Sequence, residues 1–366
     1  MNFLPTIKKI HLWLGILTGP LVFVIAITGC IYTFQDEIQN VTQSYRFYVK
    51  TGTKQLSPFM LKEIAAKNNP NKKVHAVQSF ADNHASKVIF YEYEKYYEIA
   101  YLNPESGKVL QLQNAEQGFF PFILKGHFYL WFPPSVGQPL VASVTLIFAF
   151  VLISGLICWW PRSGKKSQRF KIKWQASRKR RNFDLHSVLG FYVFFFALIF
   201  TLTGLVWGFE WFRNSYFSIA SLGKDYVEYY EPESIAKNDS IHLQVSKIFS
   251  LLKEKNPNFY AIEVHFPESE KGSIAANVNF EEGTYWKTDF YYFDQTTLNE
   301  LPVKHYWGKL KEASFAEKLL RMNYDIHTGA ILGISGKFFA FLISLMIASL
   351  PVTGFLIYLG RKKTKK

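Results

Sequence analysis

A chain of 366 residues is long enough for two or three soluble domains, but its charges are too unevenly placed for that: Ile10–Gln35, Gly126–Pro161, Leu185–Phe209 and Phe338–Gly360 contain no Asp, Glu, Lys or Arg. The net charge of +14 is concentrated as sharply, with ten Lys or Arg and no acid between Pro161 and Asn182, five more after Gly360, and Lys8 with Lys9. The two cysteines, Cys30 and Cys158, form no Cys-x-x-Cys-His, which excludes covalent haem attachment of the usual kind, and no thiolate cluster for zinc or iron–sulfur.

Each uncharged run supplies the ~20 apolar residues that cross a bilayer core, so four transmembrane helices are expected. The basic segments then set orientation by the positive-inside rule: both termini and the loop after Pro161 face the cytoplasm, and two large loops lie outside. Because membrane orientation accounts for the basic segments, no nucleic-acid partner is inferred from them. The expected organisation is helix one over 1–35, a first outer module over 36–126, helix two over 127–161, a basic loop over 162–183, helix three over 184–212, a second outer module over 213–326, helix four over 327–360 and a basic tail over 361–366.

Taken in order, the N-terminus offers a competing reading: Lys8-Lys9, an apolar run and Ile27-Thr28-Gly29-Cys30 resemble a lipoprotein signal cleaved before Cys30. The apolar run continues through Ile31, Tyr32 and Phe34, and Thr-Gly recurs in the third run without a cysteine, which favours a retained helix. In the first outer loop, Pro58 near the start and the spacing of Leu61, Ile64 and Ala65 predict a helix over Leu56–Asn68. Val74–Phe80, Lys87–Tyr93 and Tyr96–Leu102 read as strands, and Asn103–Lys108 as a turn before Val109-Leu110. The second loop repeats the order: a helix over Ser240–Lys255, strands over Tyr260–Phe266, Ser273–Phe280 and Trp286–Phe293, and a turn over Asp294–Asn299.

The membrane runs repeat as well. His11, Gly15, Thr28 and Gly29 match His186, Gly190, Thr203 and Gly204 at identical spacing. His127, Gly137, Ser154-Gly155 and Arg162 match His327, Gly336, Thr353-Gly354 and Arg361 to within one residue. Two related halves entering the membrane in the same sense imply a pseudo-twofold axis along its normal. The fold class is therefore a mainly α membrane protein, with four transmembrane helices in two pseudo-symmetric halves and two small α+β outer modules.

The repeat puts His11 and His186 at the inner ends of helices one and three, and His127 and His327 at the outer side before helices two and four. One histidine at a helix end is most simply an interfacial polar residue; four in two matched pairs ask for a shared purpose. Two imidazoles without thiolate or carboxylate make a poor closed zinc site, whereas an iron porphyrin needs only axial ligands from the protein. The expectation is two noncovalent b-type haems, with His11, His186, His127 and His327 on iron. Gly15 and Gly190, one turn deeper, and Gly29 and Gly204, about 27 Å further along at about 1.5 Å per residue, leave side-chain-free walls for flat macrocycles. Small-residue helix packing explains glycines too. Arg162 and Arg361 are placed to meet inner propionates. His75, His84, His242, His265 and His305 fall in the outer loops and are expected to be solvated.

The His-x-x-Leu-Gly…Thr-Gly runs, Trp159-Trp160-Pro161-Arg162, His327-Thr328-Gly329…Thr353-Gly354-Phe355 and the Asn-Pro-x-x-Gly outer turn together resemble the PepSY-associated transmembrane proteins. That family, often called iron-regulated membrane proteins, includes dihaem inner-membrane reductases of ferric siderophores. The resemblance covers nearly the whole chain. It implies periplasmic PepSY modules, a bacterial inner membrane location, and reduction of a ferric siderophore or other ferric chelate outside the cytoplasm, with the four histidines as haem ligands. It names no catalytic residue.

There is no Gly-rich dinucleotide motif, and an inner loop of this size cannot fold as a flavin domain. The electron donor must then be separate, either a membrane quinol or a cytosolic carrier. Two other function classes compete. PepSY modules are associated with peptidase inhibition, so the chain could be a tethered regulatory or ligand-sensing protein without redox activity. An ion transporter is disfavoured because the spans lack acidic residues, Glu210 at an outer edge being the nearest.

Overall fold

The computed structural model describes residues 3–52, 54–160, 170–237 and 240–362, with 361 and 362 described by backbone alone. In chain order the elements are α1 (Leu4–Tyr32), α2 (Gln35–Thr42), α3 (Pro58–Asn68), β1 (Val74–Phe80), β2 (Ser86–Glu92), β3 (Tyr96–Leu102), β4 (Val109–Asn114), α4 (Phe119–Tyr129), α5 (Pro134–Trp159), α6 (Arg178–Gly208), α7 (Glu210–Ala220), α8 (Ile241–Lys255), β5 (Ala261–His265), β6 (Ile274–Asn279), β7 (Thr288–Phe293), α9 (Phe315–Thr328) and α10 (Gly333–Lys362). They form two compact units, one of Met1–Gln35, Phe119–Tyr216 and Asn323–Lys366, the other of Asp36–Gly118 and Phe217–Met322.

In the first unit four helical stretches are long and apolar enough to cross a membrane: Leu4–Tyr32, Pro134–Trp159, Arg178–Gly208 and Ala330–Gly360. All four expected spans are present. Helices α1 and α6 each pack against both α5 and α10, around a small core that includes Val22, Val144, Val193, Ala197 and Ile347. Most of the apolar surface faces outward, as with Leu17, Phe150 and Phe195. Helices apolar on all sides and only partly covered by protein suit a lipid solvent. Hydroxyls on these spans bond inside their own helix, Thr18 to the Leu14 carbonyl and Thr201 to the Ala197 carbonyl, which keeps those polar hydrogens from the hydrocarbon.

Two short helices stand apart from the spans they precede. Helix α4 carries His127 and ends at Leu130 and Trp131, both at positive φ. Pro134 then starts α5 at a position where a missing N–H costs nothing. The second span therefore begins seven residues after His127 instead of at it, because the Pro133-Pro134 pair cannot extend α4. The turn is tight: a side chain on Gly137 would collide with the Tyr129 backbone, and one on Gly126 with the Trp131 ring. Helix α9 and α10 meet in the same way, through Gly329 at φ 81° against Gly336. The matched glycines of the two halves thus mark two tight helix-to-helix turns.

In the second unit the seven strands form one antiparallel sheet in the order β4-β3-β2-β1-β5-β6-β7. Strands from both outer loops meet where β1 pairs with β5, from Ala76 opposite His265 to Phe80 opposite Ala261. The two expected modules are joined in a single sheet. Alternation places Val77, Val88, Phe90, Leu102, Ile262, Val264 and Ile274 on one face, where Leu61 and Ala65 of α3 and Val245, Ile248 and Leu252 of α8 close the core. Ser57 caps α3 through the Met60 N–H, with Pro58 at its first position. Both expected turns are Asx turns: Asn103 Oδ1 accepts from the Glu105 and Ser106 N–H groups, and Asp294 Oδ1 from those of Thr296 and Thr297.

Leu61 is 0% exposed and its neighbour Met60 49% exposed. Leu61→Ala is expected to cost ~2–5 kcal/mol in denaturant unfolding of the full chain, and Met60→Ala under ~0.5 kcal/mol; equal costs would contradict this placement of the core.

Candidate functional site

The inner pair is built from helices that cross-brace one another. His11, on α1, reaches α5, where its Nδ1 lies 3.1 Å from the Val151 carbonyl and 3.1 Å from Ser154 Oγ. His186, on α6, reaches α10 at the matching places, 3.1 Å from the Leu350 carbonyl and 3.0 Å from Thr353 Oγ1. A carbonyl can only accept, so Nδ1 carries the proton in both rings and Nε2 keeps a lone pair. The hydroxyls agree: Ser154 donates to the Val151 carbonyl and Thr353 to that of Ser349, which leaves each oxygen to accept from the imidazole. The two rings stand 6.3 Å apart between centres, at 67°.

The outer pair uses different acceptors for the same purpose. His127 on α4 donates from Nδ1 to the Ile25 carbonyl of α1, at 2.8 Å. His327 on α9 lies 2.9 Å from Thr203 Oγ1 of α6, whose own hydrogen goes to the Ile199 carbonyl. Asn323, one turn before His327, ties α9 to α6 by donating to the Thr203 carbonyl at 3.1 Å. Burial pushes both imidazoles below their ordinary range, and for His327 the proximity of His127 adds to the effect. These rings are 6.1 Å apart at 61°.

The glycines divide into two kinds. A Cβ on Gly155 would stand 3.0 Å from His11 Cε1, on Gly354 3.1 Å from His186 Cε1, on Gly29 2.9 Å from His127 Cε1 and on Gly204 3.5 Å from His327 Cε1. Each of the four spans therefore lays one Ser/Thr-Gly pair beneath one histidine ring. Gly29 makes room for the His127 imidazole itself, and at Gly204 a Cβ would be in ordinary contact with His327. Gly15 and Gly190 are different: no atom lies within 4 Å of a Cβ on Gly15, and only Leu350 Cδ2, at 3.9 Å, near one on Gly190. Those two glycines border open space beside the inner pair.

This arrangement can hold a metal that brings most of its own ligands. Among the described residues no group of three or more His, Cys, Asp or Glu converges on one point, so each pair offers two neutral nitrogens and nothing more. Two nitrogens on opposite sides of one ion at about 2 Å each put the ring centres about 6 Å apart, which is the separation seen in both pairs. The donor set and spacing fit axial ligation of an iron porphyrin, and do not fit a closed zinc site. His11 and Gly29, which lies beneath His127, are 18 residues apart on the one helix α1, so these positions are about 27 Å apart along it at about 1.5 Å per residue. Arg162, expected near inner propionates, lies outside the described residues, as does the Arg361 side chain.

The remaining histidines correct the expectation of solvated side chains. His305 is 4% exposed and bonded to the Tyr230 carbonyl; His84 is bonded to Asp82; His242 stacks on Phe59; His75 and His265 are bonded to each other. The hydroxyl acceptors Ser154, Thr203 and Thr353 stood in the sequence only as repeat markers, and their adjacency to a glycine was the available signal. Cys30 is buried within α1, which runs on to Tyr32, and both cysteines are free.

A comparison with curated proteins gave no match. The family model described as PepSY-associated TM region matches residues 8–361, which takes in all four histidines, all four spans and the whole sheet. The chain belongs to the PepSY-associated TM region family.

Proposed function

We propose that this protein is a b-type dihaem reductase of the bacterial inner membrane, which passes electrons across the bilayer to a ferric siderophore or another ferric chelate in the periplasm. The observation that carries the reading is the pair of facing imidazole pairs, each with Nδ1 tied to a neighbouring helix and Nε2 free. Haem, when bound, supplies a one-electron ferric/ferrous couple at each end of the bundle. The chain's own part is to hold two neutral nitrogens at a fixed separation, to keep their tautomer by the Nδ1–H bonds, and to exclude water with a closely packed apolar wall. His11 and His186 would hold the inner group, with open space beside Gly15 and Gly190 for its plane; His127 and His327 would hold the outer one.

Several features support the finer parts of this reading. The matched acceptors, Val151 and Ser154 against Leu350 and Thr353, are what two pseudo-symmetric halves produce. The order helix α3 then β1–β4, followed by helix α8 then β5–β7, is what two PepSY-like modules joined edge to edge produce. The basic excess between Pro161 and Asn182 and after Gly360 supports a topology with both termini in the cytoplasm and the two large loops outside. A quinol or a soluble carrier on the cytoplasmic side would supply the electrons.

The deciding measurement is the absorption spectrum of protein produced with ample haem, oxidised and then reduced. Two b-type haems per chain are expected, with reoxidation of the reduced protein on adding a ferric chelate. Protein without haem would sink the reductase and leave the tethered regulatory reading. His11→Ala or His186→Ala should remove one haem and keep the other; loss of neither would break the pairing.

Thr353→Val and Thr203→Val, which delete hydroxyl acceptors of His186 and His327, are expected to weaken retention of one haem ~10–100-fold. Titration of haem into each purified variant reads the effect. Gly15→Leu, filling open space beside His11, should lower inner-haem occupancy while leaving the thermal unfolding of the haem-free protein unchanged.

A further inference from the structure

Outside the membrane helices, one side-chain cluster in the sheet unit has the organisation of a ligand site. His75 on β1 and His265 on β5 face each other across the strand pair, with His75 Nε2 3.1 Å from His265 Nδ1 and the rings at 84°. The outer nitrogens are both taken by carboxylates. His75 Nδ1 is 2.8 Å from Glu268 Oε1, and His265 Nε2 is 2.9 Å from Glu263 Oε1, with the Asn277 amide 3.3 Å away as a second neighbour. An ionised carboxylate only accepts, so His75 Nδ1 carries its hydrogen toward Glu268 and His75 Nε2 is left as a lone pair facing His265 Nδ1, while His265 Nε2 has both Glu263 and the Asn277 amide beside it. With its hydrogen on Nδ1, His265 donates to His75 Nε2; with that hydrogen on Nε2, toward Glu263, both inner nitrogens present lone pairs 3.1 Å apart. The second tautomer is the one a metal ion selects, because two facing lone pairs need a cation to join them.

The backbone is shaped to make this pair. In β1 the pairing with β2 passes from Val74 opposite Phe90 directly to Ala76 opposite Ile89, so His75 is an extra residue in a β-bulge. With unbroken alternation, His75 would share the face of Val77 and point into the hydrophobic core. The bulge sends Val74 to the core instead and turns His75 to the face of His265. Bulges that re-aim a side chain are a feature of binding and active sites. The imidazoles are about a quarter exposed, 25% and 22%, so the pair is reachable from solvent, with the Tyr91 ring 5.6 Å from His75 at its rim.

We propose that His75 and His265 form a binding site for a divalent first-row transition-metal ion, with Glu268 and Glu263 behind them as the carboxylates that orient the rings. Two imidazole nitrogens on one tetrahedral ion, each about 2 Å away, lie about 3 Å apart, which matches the 3.1 Å between His75 Nε2 and His265 Nδ1, with the ion to one side of the line that joins them. A carboxylate on the far nitrogen of each ligating histidine fixes its tautomer and raises its basicity. Two protein nitrogens leave the other positions to water or to an incoming ligand, which makes the site one for capture and release instead of permanent structure. The site does not depend on the dihaem reading, and its test does not use haem.

Copper(II) is the probe, because imidazole sites favour it most strongly among these ions. Calorimetric titration of the full-length protein should give one equivalent in the wild type that is absent from the His75→Ala/His265→Ala double variant, whose other seven histidines are unchanged. Glu268→Gln should keep the equivalent but weaken it ~10–100-fold. An equal number of bound ions in the wild type and a folded double variant would overturn the proposal. If the double variant fails to fold, Glu268→Gln decides alone: its side chain is 58% exposed, its loss leaves the sheet intact, and an unchanged copper affinity would refute the site.

Discussion

Everything in the membrane unit depends on one hydrogen bond repeated four times, from the Nδ1–H of a histidine to an oxygen on a neighbouring helix. In hydrocarbon an unpaired N–H has no water to turn to, so each bond is obligatory. It also has a geometric demand. The ring must lie flat enough against its neighbour to reach a backbone carbonyl, and only a residue without a Cβ permits that approach. This is why Gly155, Gly354 and Gly29 each lie beneath a ring, where a Cβ would stand 2.9 to 3.1 Å from it; at Gly204 it would stand 3.5 Å from His327, an ordinary contact. The bonds therefore lock the register of α1 on α5 and of α6 on α10, as well as the direction of every free Nε2. Helix packing and ligand presentation are one constraint.

Much of this was legible because it obeys local periods. The four spans could be read from uncharged runs, and strands such as Val74–Phe80 and Tyr96–Leu102 from alternation bounded by turns. The pairing of His11 with His186 and of His127 with His327 followed from the internal repeat, and the rings do face one another. What escaped has a common physical cause. Helix α4 is as apolar as the span that follows it, so composition merges them, and only Pro133-Pro134 marks the break. The joining of β1 to β5 brings residue 76 beside residue 265, a contact for which no local pattern exists. The bulge left a trace, since Val74 and Val77 both face the core at a spacing of three instead of two, but that trace has meaning only once the sheet face is known.

The two kinds of imidazole pair differ in what stands behind the rings, and the difference follows from electrostatics. The membrane pairs lean on carbonyls and hydroxyls, which are neutral, and no cluster of acids is found beside them among the described residues. The sheet pair leans on two carboxylates. A bare divalent ion between neutral donors in an apolar bundle would carry two uncompensated charges, at a cost of many kcal/mol. A porphyrin dianion brings the compensating charge with it, so neutral donors suffice for an iron porphyrin and would be a poor site for a free ion. On the sheet the reverse holds. Glu268 and Glu263 stand 2.8 and 2.9 Å from imidazole nitrogens and supply negative charge beside a divalent ion, part of which Lys87 near Glu263 offsets. On the proposed readings, the same residue type presented in pairs serves a macrocycle-bound iron in one unit and a free divalent ion in the other.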